Sequence, residues 1–242
     1  MKSLVTIIAA ICVFVGSSAL AQVQVSDVHP ELDAVLSRGA ITTNETEWRY
    51  LVTMTSDDGV MVGRFDGTLA EGERWQLLSP TLEDLSDLQE GMWSGLQESG
   101  DGEDTEGGGL FFSTDDSDIV PGSLRLAEDG ESRLVFSFQP QMDEDEMEMG
   151  EHIRGALTVS RDPLAITRLR MWAPEGFKPH FAVRLHTFDM VQDYVQLDGL
   201  PAPVLTNLSQ EISGSAAFQS FDQSFELAFT EIEYLGSAEQ AR

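Results

Sequence analysis

Residues 47–55 read Glu47-Trp48-Arg49-Tyr50-Leu51-Val52-Thr53-Met54-Thr55. Trp48, Tyr50, Val52 and Met54 fall on one side of an extended chain, and Glu47, Arg49, Thr53 and Thr55 on the other. Only Leu51 breaks the alternation. A period of two is the signature of a strand with one face in a core and the other in water. Ser56-Asp57-Asp58-Gly59 follows as a hairpin turn, and Val60–Gly67 and Arg74–Leu78 continue as the next strands, joined by 67–72.

The same pattern recurs downstream. Arg133–Gln139 carries Leu134, Phe136 and Phe138 in step. His152–Ser160 aligns Ile153, Gly155, Leu157 and Val159. Ala165–Ala173 places Arg168, Arg170 and Trp172 on one face, and Leu169 and Met171 on the other. Phe181–Tyr194 is long, with a shift of register expected after Leu185. Val204–Ser213 and Ala216–Leu235 complete the set, the last alternating Phe221, Phe225, Leu227 and Phe229. Turns are marked at Asp162-Pro163, Pro174-Glu175-Gly176 and Asp198-Gly199. Leu110–Ser113 and Ser123–Ala127 are shorter apolar runs.

Two helices are expected. Pro30–Arg38 gathers Leu32, Val35 and Leu36 on one face behind a first-turn proline. Residues 81–97 repeat Leu82, Leu85, Leu88, Met92, Trp93 and Leu96 at helical spacing, with Thr81 and Asp84 as a weak capping box. The fold class is therefore α+β: a curved antiparallel β-sheet, a half-open barrel, wrapped around one or two helices. One β-rich domain over 22–242 is expected, with acidic loop insertions near 98–109 and 141–151.

The N-terminus sets the expected compartment. Lys2, the apolar run from Leu4 to Val15 and the Ala19-Leu20-Ala21 end have the three parts of a secretory signal peptide. Cleavage is expected near Ala21, with Gln22 first in the mature chain and a periplasmic or secreted location. The apolar run is short for a bilayer span, and no later segment is long and apolar enough for one, so no stable membrane insertion is expected. The only cysteine, Cys12, is expected to leave with the leader. That excludes thiol catalysis, Cys-ligated zinc and disulfides from the mature chain.

Charge narrows the partners. The chain has 14 basic and 42 acidic residues, a formal net charge of −28. Such a surface repels nucleic acid and anionic headgroups. It suits a basic partner or a divalent cation, or serves solubility in a salty environment.

No catalytic pattern is present. His29, His152, His180 and His186 form neither an HExxH nor an HxH pair, so no metal site is expected of them. The acidic runs 101–106, 115–118 and 143–151 lack the ordered spacing of a calcium loop. There is no G-x-S-x-G, and the glycines at 107–109 are not a phosphate loop. A non-catalytic protein with no cofactor is expected.

What remains is aromatic area. Trp48, Tyr50, Met54, Trp75, Phe136, Phe138, Trp172, Phe181 and Phe225 on the strands, with Trp93 on the second helix, form a candidate apolar lining. A curved sheet covers such a face with its own helices or with an apolar ligand.

Three segments carry a resemblance: Arg64-Phe65-Asp66 with Gly72-Glu73-Arg74-Trp75-Gln76-Leu77-Leu78, Ile153-x-Gly155-x-Leu157-x-Val159, and Phe225-x-Leu227-x-Phe229. With the order helix, strands, helix, long run of strands, the chain resembles the LolA-like superfamily of half-open β-barrels, which includes the periplasmic lipoprotein carriers. It resembles more closely a group of bacterial exported proteins. The resemblance implies a cavity that takes the acyl chains of a lipid or lipoprotein. The alternative expectation is an interaction or regulatory module for another envelope protein, with a packed core and no ligand.

Overall fold

The computed structural model describes residues 29–36, 48–70, 72–100, 110–112, 119–120, 122–141, 147–180, 182–200, 202–216 and 219–236. The signal-peptide assignment, the acidic runs 101–109 and 115–118, and 142–146 of the second acidic loop lie outside them.

The alternating stretches form strands as their pattern requires. In chain order the elements are α1 (Pro30–Leu36), β1 (Trp48–Ser56), β2 (Gly59–Asp66), β3 (Trp75–Ser79), α2 (Asp87–Gly100), β4 (Arg125–Asp129), β5 (Arg133–Phe138), α3 (Met147–Gly150), β6 (Arg154–Arg161), β7 (Leu164–Trp172), β8 (Phe177–His180), β9 (Val183–Val195), β10 (Val204–Ala216) and β11 (Gln219–Tyr234). All strands join one 11-stranded sheet in the order β3-β2-β1-β11-β10-β9-β7-β6-β5-β4, with β8 pairing β9 off this path. Every pairing is antiparallel. The sheet is open and curved. Extra residues at Thr167, His186, Thr206 and in β11 near Glu231, where φ is 51°, break the ladders. Such bulges bend and twist a sheet locally.

Following register from strand to strand puts one apolar face across the sheet. One row runs Met61, Met54, Leu227, Leu208, Gln192, Leu169, Leu157, Phe136, Leu126. The opposite face is polar. There Arg168 meets Asp193 at 2.6 Å, Arg170 meets Asp189 at 2.5 Å, and Asn207 donates to Glu226 at 2.9 Å. The hydrogen bonds that the guanidinium groups donate to these aspartates hold both of their pKa values above the usual range.

Two core clusters sit on the apolar face. In one, Leu32, Val35 and Leu36 of α1 pack with Leu134, Phe136, Leu157, Ile166, Leu169 and Met171. In the other, Trp93 of α2 packs with Trp48, Val52, Met54, Met61, Phe65, Trp75, Phe225 and Leu227. Helices thus cover both halves, as the sequence implied.

The second helix differs from its expected span. Residues 82–84 are a 3-10 turn, Leu82 is 67% exposed, and Thr81 donates its hydroxyl to Asp84 rather than capping the turn's backbone. The α-helix starts at Asp87 behind a reciprocal capping box. Gln89 N donates to Ser86 Oγ at 3.2 Å, and Ser86 N donates to Gln89 Oε1 at 3.1 Å. It then runs to Gly100, into the expected loop. Residues 147–150 are likewise a helical turn, and β8 was not anticipated.

Candidate functional site

The aromatic residues singled out by the sequence divide into separate groups. Trp48, Tyr50, Met54, Trp75, Trp93 and Phe225 belong to the cluster under α2, with Tyr50 only partly buried. Their rings interlock: Tyr50 stacks on Phe65 at 5.1 Å, Trp75 meets Phe65 at 5.0 Å, and Trp75 meets Trp93 edge-on at 5.8 Å. Phe136 and Phe138 belong to the other cluster, across the sheet. The ring of Phe138 lies over its cross-strand partner Gly155, where a Cβ would overlap it.

Trp172 joins neither group, contrary to its expected place in the apolar lining. It shares the polar face with Arg170, whose guanidinium carbon stands 5.0 Å from the indole centroid. Strand parity makes this unavoidable, because Met171 points to the core. Phe181 lies outside the described residues.

The motif segments are structural. Phe65 pairs with Trp75 across β2–β3, and Asp66 N donates to Arg74 O at 3.0 Å. The Asp66 carboxylate accepts from Thr68 Oγ1 at 2.6 Å and from Arg49 Nε at 3.0 Å. The Thr68 hydroxyl first, and Arg49 with it, hold its pKa below the usual carboxylate range.

Burial along the apolar face is uneven. In the row Leu227, Leu208, Gln192, Leu169, the two ends are 8% and 4% exposed, whereas Leu208 and Gln192 are half-buried. Leu205 and Phe229 nearby are also half-buried. This strip on β9–β11 lies between the half covered by α2 and the half covered by α1. Within it, Tyr194 donates its hydroxyl to Gln192 Oε1 at 2.8 Å.

One row further, Gln210 stands between Phe225 and Met190, 4% exposed, with Nε2 buried and without a partner. It is absent from the apolar lining expected from the sequence. The signal was available: Leu208-x-Gln210-x-Ile212 puts a polar residue at an inward position of an otherwise apolar strand face.

A separate surface groove of about 560 Å3 opens between 151–154 and 174–178. Its charged walls are Glu151, Arg154, Glu175 and Lys178, beside the stacked rings of His152 and Phe177, whose centroids are 4.8 Å apart. The opposed charges offset one another. Among the described residues, no three His, Asp or Glu side chains converge as metal ligands, and no helix is long and apolar enough to cross a membrane.

No family model matches the chain, and comparison with curated proteins and with solved structures finds no match.

Proposed function

We propose that the protein is an exported, non-catalytic binding protein for an apolar or acylated ligand, a lipid or lipoprotein, in the bacterial periplasm. In this reading the open sheet is a half-barrel of the LolA-like kind, and its apolar face is the ligand surface. The observation that supports it is the half-buried strip at Leu205, Leu208, Gln192 and Phe229, whose Leu205, Leu208 and Phe229 pack against the buried clusters yet keep part of their surface exposed. Each 100 Å2 of such surface removed from water contributes about 2.5 kcal/mol before the cost of ordering both partners is subtracted. Titration with a fluorescent fatty-acid probe tests it. Saturable binding that weakens in Leu208→Asp, with the β-sheet circular dichroism unchanged, is the expected result; no saturable binding refutes it.

A second reading is favoured by α2. Trp93 closes the β1–β3 half of the face with the chain's own residues, as an envelope interaction module with a packed core requires. In that case a specific protein would be recovered from envelope extract while the fatty-acid probe would not bind.

A further inference from the structure

The lipid-binding reading leaves Gln210 unexplained. It occupies the middle of the apolar face, with Phe225 of one core cluster on one side and Met190 of the other on the opposite side. A buried amide N–H without an acceptor is costly, and native proteins rarely keep one without a use. The other orphan polar atoms on this face, Trp48 Nε1 and Trp75 Nε1, are donors as well. The orphan acceptor, Asn207 Oδ1, belongs to a residue of the opposite face, level with Asp193 and Ala228. Among the described residues, the side-chain atoms of the apolar face that are both buried and without a partner are therefore donors.

We infer that the ligand is an acyl ester whose carbonyl oxygen accepts a hydrogen bond from Gln210 Nε2, with its hydrocarbon chain along Leu208 and Leu205. The inference rests on the apolar face being a ligand surface and names the chemistry recognised there. A plain hydrocarbon has no acceptor for the amide. An alcohol oxygen can accept from the amide, but it brings an O–H that needs an acceptor of its own, which an ester carbonyl does not. Gln192 is the diagonal neighbour of Gln210 and half-buried, so the polar pair extends to the open part of the strip. Access to Nε2 requires a neighbour to move, and Met190, unbranched with three rotatable bonds, is suited to that.

The test compares methyl dodecanoate, tetradecane and 1-tetradecanol as displacers of the fluorescent fatty-acid probe from the full chain and from Gln210→Leu. The expected result is a preference for the ester over the other two in the natural protein. In the variant, ester affinity should fall about tenfold with tetradecane unchanged. The variant's melting temperature should not drop, because no native hydrogen bond is lost. Gln210→Met serves the same comparison if Gln210→Leu does not fold. Equal ester affinity in variant and natural protein overturns the inference, and means that water satisfies the amide, while the ligand surface itself stands. Failure of the fluorescent probe to bind at all removes the ligand surface and the inference with it.

Discussion

Trp93 of α2 lies so close to Gly63 of β2 that a Cβ built on Gly63 would stand 2.7 Å from Trp93 Cζ3 and 3.3 Å from Val52 Cγ1. The glycine is what lets the helix seat its indole on the sheet. Gly63→Ala is expected to destabilise the protein by about 1–3 kcal/mol through overpacking, read from urea denaturation. In a Trp93→Leu background the penalty should shrink, because the two sites share one contact. Equal penalties in both backgrounds would contradict this packing.

The Phe138 ring over Gly155 gives a prediction of opposite sign to the usual one. Gly to Ala inside a strand ordinarily stabilises, by roughly 0.5–1 kcal/mol. Here the new methyl overlaps the ring, so Gly155→Ala is expected to destabilise. Phe138, 4% exposed, should cost about 3–5 kcal/mol as Phe138→Ala. A stabilising Gly155→Ala would mean that the ring does not sit there.

The two capping signals before α2 separate experimentally. Ser86→Ala removes a reciprocal cap and should cost about 1 kcal/mol. Thr81→Ala removes only a side-chain contact to Asp84 ahead of an exposed turn and should cost a few tenths. Denaturation midpoints in the reverse order would overturn the assignment of the helix start.

These two signals also show what was legible in the sequence. The strands were readable wherever one face is buried and the other wet, as in Trp48–Met54 or Leu134–Phe138, because side chains then alternate with the pleat. The start of α2 is hidden in the sequence because Leu82 and Leu85 continue the helical spacing backward, although Ser86 and Gln89 hold the capping geometry. Strand β4 carries no alternation to read: it is an edge strand, exposed at every position. For Trp172, residue type suggests a core position, while its parity with Arg170 gives the face it occupies. The half-buried strip depends on which strands end up adjacent and where the helices stop. That is tertiary information absent from any single strand's pattern.

Acid should loosen the β1–β2 hairpin end. The folded-state pKa of Asp66 is lowered by Thr68 and Arg49. Its contribution to stability is therefore present above the unfolded carboxylate pKa and is lost as pH falls through the lower folded value. Asp66→Asn should cost about 1 kcal/mol at neutral pH, discounted for the partial exposure of Arg49. The difference from the natural protein should vanish in strong acid. A gap unchanged from neutral pH to strong acid would rule out this ionic contribution.

In the proposed function, the strip between the α1-covered and α2-covered halves takes an acyl ligand. Native mass spectrometry of the chain, purified without detergent from a bacterial envelope fraction, measures this most directly. The account predicts a bound species with the mass of an acyl lipid, lost on organic extraction and depleted in Leu208→Asp. A bare polypeptide mass that stays bare when the chain is incubated with methyl dodecanoate would contradict it.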